Sequence, residues 1–485
     1  MKKADVAIYK TEKYYYPDNG EFFRPSTKYP EIVFEELATK ENHVYDEVRN
    51  ALFLYGFDEE NFGTDKWNPF GSLIDQNSKV LIKPNLVMDH NRSGEGEECL
   101  YTHASVIAPV IDYVVKAQRG EGQIIVGDAP MQECDFDKLV QESGLKALVE
   151  FYKNKGINIQ LVDFRDVKSS VSYGVHKQEE SALSNGVIVD LGKNSEFAGA
   201  ENDTIDRFRI TNYDPRELAQ HHNVEKHEYC ISKYLLEADV IINMPKPKTH
   251  RKAGVTISMK NIVGINARKE YLPHHTMGSV KQGGDECNTR NFCRDISDKL
   301  YDFKNIKEAE GKYFLARPAF VMAYFLKKIS NFIHNEPGEG SWSGNHTISR
   351  TINDLNKILI YADKNGHMCD EPQRKMLIVA DMIISGEKEG PVMPSRKELG
   401  VVAVGENAYA FDSIIATLMG MDASRIPTLQ SAKNVLRFGT SIVKNPTAIS
   451  NDPEYCGTLD KFKGKKNWDF VTSKGWESIK YNNSR

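Results

Sequence analysis

The segment "ADVIINMPKPKTH", residues 238 to 250, joins an unbroken apolar run to a proline-spaced cluster of cations. A short run of this kind, bounded by polar residues, suits a strand buried on both faces, as in parallel sheets covered by helices. Five other runs share the pattern: "KVLIKPNLV" (79 to 87), "QIIVGDAP" (123 to 130), "INIQLVDF" (157 to 164), "MLIVADMII" (376 to 384) and "LGVVAVG" (399 to 405). Helical patterns such as "HASVIAPVIDYVVKAQ" (103 to 118) and "FDSIIATLMG" (411 to 420) lie between many of them. The class is α/β, with mostly parallel sheets covered by helices.

Two stretches interrupt the alternation. Residues 266–300 carry His, Gly and acidic residues without a period and read as a long functional loop. This loop closes an N-terminal α/β domain spanning residues 1–300, and residues 301–345 read as a helical and glycine-rich connection or lid. Residues 346–485 complete a second α/β domain, with the site expected between the two. Inside the connection, "AFVMAYFLKKISNFI" (319 to 333) is an amphipathic pattern too short and too basic to span a bilayer. It is expected to be a core or interface helix.

The 485 residues are 40% hydrophobic, enough for real cores, and 63 basic residues face 68 acidic ones for a formal charge of -5. That balance exerts no general pull toward nucleic acid, and the basic run lacks interleaved aromatics for base stacking. The opening "MKKADVAIYKTEKYYYP" has no apolar core behind its lysines, and no segment approaches about 18 uninterrupted apolar residues. A cytoplasmic protein with no membrane partner is expected, and assembly into a homo-oligomer is left open. Seven scattered cysteines form no C-x-x-C pair, so neither a disulfide framework, a zinc ribbon nor an iron–sulfur cluster is expected.

Ligands of such sheets bind beyond the carboxyl ends of the strands. The polar residues there are Lys83 and Asn85, Asp128, Lys246 and Lys248, Asp381 and the turn at 405 to 407. Pro245 and Pro247 hold the chain extended, so Lys246 and Lys248 point the same way and suggest a clamp for a phosphate or carboxylate, which His250 can join. Lys260, among apolar residues and other cations, is the candidate base or imine-forming nucleophile, with Asn261 beside it; a plain ion pair with a strand-end aspartate is the equal alternative. Asp128, Asp381, Glu387 and Glu389 could orient the lysines or hold a divalent metal ion accompanying the anion. His103 is a candidate for ligand binding or helix capping, and Asp412 reads as the cap of its own helix. In the long loop, His274, His275, Asp285 and Glu286 supply donors for a transition metal.

No Walker-type loop, dinucleotide fingerprint or nucleophile elbow is present, which removes the common nucleotide-hydrolase, dehydrogenase and α/β-hydrolase readings. Five separated pieces, "VLIKPNLV", "THASVIAPVIDYV" with "IIVGDAP", "ADVIINMPKPKTHRKAGVTISMKNIVG", "IVADMIISGEKEGP" and "ENAYAFDSIIATLMGMD", resemble in order the domain-of-unknown-function family numbered 362. The likeness covers roughly residues 79 to 425 and implies that the pieces form one site. Many members carry an inserted iron–sulfur module, and this chain lacks its clustered cysteines. The spacing of His250, Gly254 and Lys260 is also similar to a segment of the nickel-pincer lactate racemases, where it would imply a cofactor-holding lysine; Asn261 and the missing Gly-Gly-Arg approach depart from that pattern. The expected function is an enzyme acting on an anionic small molecule by metal- or lysine-assisted isomerisation, transfer or redox chemistry. The alternative is a non-catalytic binding or assembly protein that holds a metal centre or an acidic partner segment.

Overall fold

The computed structural model describes residues 4–481 apart from residue 183, residues 335–336, residues 433–441 and residue 466. Its centre is an 11-stranded mixed sheet. In chain order the strands are β1 (Val6–Lys10), β2 (Lys79–Pro84), β3 (Gln123–Asp128), β4 (Ile159–Asp163), β5 (Val240–Met244), β6 (Lys248–His250), β7 (Gly254–Thr256), β8 (Lys375–Glu389), β9 (Met393–Gly405), β10 (Thr447–Ser450) and β11 (Gly457–Thr458). The spatial order is β11-β10-β1-β9-β8-β5-β2-β3-β4, with β6 pairing both β7 and β8.

The opening segment forms the middle of this sheet. β5 runs parallel to β2 on one side, Val240 opposite Val80 through Met244 opposite Pro84, and parallel to β8 on the other. Its apolar run is buried on both faces: Ile241 joins one core with Leu81 and Ile378, while Val240 and Ile242 join a second core with Val80 and Leu377. Period-two side-chain alternation thus feeds both layers, which is why the strand carries no polar face. Helices α1 (His43–Tyr55) and α2 (Ala104–Gln118) cover one face; α5 (Thr347–Tyr361) and α6 (Ala408–Leu418) cover the other.

Strands from both expected domains pair in this one sheet, since β5 and β8 are direct neighbours. The boundary drawn at residues 301–345 therefore does not divide the sheet. The run "LGVVAVG" is antiparallel to both its neighbours, β8 and β1. Only three residues separate β8 from β9, far fewer than a parallel crossover needs.

The stretch 266–300 holds short turns, a two-residue strand His275–Thr276 against Phe208–Arg209, and the start of α3 (Phe292–Ala309). With α4 (Tyr313–His334), α3 makes a helical hairpin where a connection or lid was expected. Helix α4 buries Ala316, Ala319, Ala323 and Ser330, and its opposite face is exposed, so it is not a core helix.

Candidate functional site

The carboxyl ends of β2 and β3, the segment from β6 to Gly264, and the turn around Lys269 enclose a cavity of about 390 Å³. Lys252, Lys260 and Lys269 line it, together with His250, His274 and Arg251. Lys252 donates to Thr211 Oγ1 at 2.8 Å and Lys269 to the Ala129 carbonyl at 2.8 Å. Among the described residues, none of these three lysines has a carboxylate partner. The three acids of the wall are already engaged: Asp128 with Lys83 at 2.7 Å, Glu133 with Arg92 at 2.8 Å, and Glu339 with Lys327.

Burial, reinforced by neighbouring cations, favours the neutral form of each cavity lysine. Lys252 and Lys260 are pushed down to about 8 and Lys269 to about 7. The fully buried Lys83 is lowered as well, by loss of solvent that its Asp128 partner only partly offsets.

Two histidines of the wall are held in opposite tautomers. His250 Nδ1 accepts from the Lys252 and Ala253 amides at 3.0 and 3.1 Å, which leaves a hydrogen on Nε2. His274 Nδ1 lies 2.6 Å from the Leu272 carbonyl, so it donates there and its Nε2 keeps a lone pair. Desolvation first, then nearby lysines, keeps both rings neutral: His274 is lowered to about 3 and His250 lies well below its ordinary value. Neither Nε2 has a partner among the described residues.

An asparagine relay forms the floor. Asn85 Nδ2 donates to Asn261 Oδ1 at 2.9 Å, Asn261 to Asn243 Oδ1 at 2.7 Å, and Asn243 to the Ser258 carbonyl at 2.9 Å. The terminal carbonyl can only accept, which fixes every amide orientation and leaves Asn85 Oδ1 without a donor. Thr256 Oγ1, also on the wall, is likewise unsatisfied. Gly264 allows the close packing behind: a Cβ there would lie 1.9 Å from Asp128 Oδ1 and 2.9 Å from Lys83 Nζ.

Of the residues singled out from sequence, Asn85, Asp128, His250, Lys260, Asn261 and His274 meet at this cavity, with Lys83 directly behind Asp128. Lys246 and Lys248 do not line it. Lys246 is wholly buried against Asp381 at 2.9 Å, and both bind the Tyr16 hydroxyl at 2.6 Å. Lys248 donates to the Leu100 carbonyl, and its burial lowers it to about 7. The alternation that aims both lysines the same way aims them into protein, where Tyr16 and Asp381 receive Lys246 and the Leu100 carbonyl receives Lys248.

His103 caps α2 by accepting from the Ser105 amide and stacks on Tyr16, while its own amide donates to Asp381. Glu387 accepts from the Val471 amide at 2.9 Å, and Glu389 from that of Lys474. Asp412 lies inside α6, whose cap is Asn407, and instead caps the turn at Ser258 and Met259. The four loop residues expected as a metal set do not form one. Asp285 accepts the His346 and Thr347 amides at the start of α5, Glu286 binds Arg290 at 2.5 Å, and His275 lies outside the wall that His274 joins. Among the described residues, no group of three or more His, Cys, Asp or Glu side chains is arranged to hold a metal ion.

Sequence reading did not select Lys252, Lys269, Thr256 or the Thr211 segment for the site. Lys252 lay within the basic run, so charge density pointed to it. Lys269 and Thr211 sit in aperiodic stretches that only the folded chain brings to the cavity.

Fold and site together define an α/β protein with a cationic cavity at the carboxyl ends of its central strands. Residues 80–193 and 186–417 match the family described as Domain of unknown function (DUF362), and the chain belongs to that family. Searches among curated proteins and among solved structures returned no match.

Proposed function

We propose that the cavity is the active site of an enzyme acting on a small anion, a carboxylate or phosphate that also carries a hydroxyl. The observation that carries this reading is the set of three desolvated lysines without counter-ions in a wall whose carboxylates are all engaged. Unpaired, half-buried cations raise the energy of the empty site, and an anion that neutralises them recovers it. The free acceptor of Asn85 suits a ligand O–H.

The two histidine tautomers support proton transfer as the reaction. His250 offers Nε2–H to an oxygen of the ligand, the His274 Nε2 lone pair accepts a hydrogen bond from the ligand hydroxyl, and the neutral amine of Lys260 takes the proton. Return of that proton to a neighbouring atom of the same molecule gives an isomer, with no change in atom count and no oxidant.

Isothermal titration and thermal denaturation with inorganic phosphate and with small hydroxycarboxylates test the reading. Stabilisation of the wild type that is lost in Lys260→Met and Lys269→Met is expected. Melting temperatures that respond to no anion, or that respond in both variants as much as in the wild type, would overturn it.

A further inference from the structure

Helix α4 carries a second surface. Phe314, Val321, Phe325 and Phe332 recur at helical spacing on its outer face and are 75%, 59%, 63% and 91% exposed, with Met322 and Ile333 beside them. Isolated exposed apolar residues are ordinary, but a stripe along 22 residues, about 33 Å of helix, is not. Between residues 311 and 335 the sequence has no Asp or Glu, whereas Lys312, Arg317, Lys327 and Lys328 are basic. Lys327 turns inward to Glu339. Arg317 lies over the exposed Tyr173 ring at 4.6 Å, and Lys328 over Tyr324 at 4.8 Å, so cations and amphipathic tyrosines border the stripe.

We propose that the outer face of α4 docks on the surface of an anionic lipid bilayer. Phenylalanines that enter the acyl boundary, tyrosines at the headgroup level and flanking cations are the features that hold a helix in the plane of the interface. The helix lies on the membrane and does not cross it: no helix among the described residues is long and apolar enough to span. Charge decides against a second copy as the occupant. A two-fold contact through α4 would bring Arg317 and Lys328 toward their own counterparts with no acid on the helix to answer them, whereas anionic headgroups supply that charge. The inference stands apart from the reading of the cavity, whose lysines it does not use.

Vesicle flotation of the full chain tests it, with phosphatidylcholine alone compared with equal parts phosphatidylcholine and phosphatidylglycerol. Flotation is expected with the anionic vesicles and not with the neutral ones, weakening as salt rises. Phe325→Glu with Phe332→Glu should abolish it, and Lys328→Glu should weaken it, both at unchanged melting temperature and circular dichroism. Absence of flotation with anionic vesicles, or flotation indifferent to these changes, would overturn the proposal. So would a concentration-dependent dimer in sedimentation velocity that the double variant dissolves, because it assigns the face to a second copy.

Discussion

Lys83 and Asp128 meet at 2.7 Å at the ends of β2 and β3, and Gly264 packs so tightly over them that no side chain fits between. The pair spends one acidic group of the wall on a cation outside the cavity. It therefore helps keep the cavity positive while holding two strand ends in register with the 258–264 segment.

Removing one partner should be costly. Asp128→Ala leaves a buried ammonium without its counter-charge, and a loss of about 3–5 kcal/mol in urea unfolding is expected. Lys83→Met combined with Asp128→Leu should recover most of that loss. Gly264→Ala forces a methyl into occupied space and should cost about 1–3 kcal/mol. An Asp128→Ala protein as stable as wild type would contradict the assignment of the pair as a structural tie.

The two lysine sets should separate by function. Lys246→Met with Asp381→Leu removes a pair that is wholly buried and away from the cavity, so phosphate affinity should stay within a few-fold of wild type while stability changes. Lys260→Met should lower phosphate affinity at least tenfold, a difference of about 1.4 kcal/mol. Calorimetric titration of both variants checks the contrast.

Anion binding and stability should respond to pH in opposite senses. The cavity lysines lose protons at about 7 to 8 in the folded protein, against an ordinary value of 10.5. As pH rises through 7 to 8 the site loses charge, so phosphate affinity falls, and binding near pH 8 takes up protons, measurable as a buffer-dependent enthalpy. Without ligand, the unfolded chain holds more protons than the folded one between about pH 7 and about pH 10.5, so stability rises with pH across that window. A melting temperature that declines from pH 7 to pH 9 without ligand would refute the depressed lysines.

The histidine tautomers have a spectroscopic signature. In nitrogen-15 spectra at about pH 6, below the ordinary histidine value, His250 should appear neutral with its proton on Nε2 and His274 neutral with its proton on Nδ1. Both should stay neutral at a pH where an ordinary imidazole is charged. A protonated imidazolium signal for His250 at that pH would exclude its role as a neutral donor.

How far the sequence reached depended on range. The buried strands were legible, because an apolar run without alternation has few other uses, and the strand-end rule pointed to the region where the cavity lies; β5 is the clearest strand. Asn85 and Asp128 followed from that rule, Lys260 from its apolar flanks and neighbouring cations, and His250 from its place in the basic run. The orientation of Lys246 and Lys248 did not, since periodicity says which side chains share a face and not what covers it. Asp412 was misassigned for a similar reason: as a helix-opening residue it suited a cap, but the amides it satisfies lie 154 residues away. The single continuous sheet was hidden because the partner of β5 in β8 is supplied by a segment more than 130 positions later, a pairing no local pattern encodes.

Trp476 is fully buried, donates from its indole to the Arg251 carbonyl, and packs against Gly254, so the turn that carries His250 and Lys252 rests on the last few residues of the described chain. During synthesis that turn has no backing until the 225 positions from Arg251 to Trp476 have been made. A nascent chain that stops short of Trp476, or one from which a protease has removed that segment, thus lacks the support that shapes the cationic pocket. Arrival of Trp476 acts as a built-in timer on when the turn can first take its folded shape.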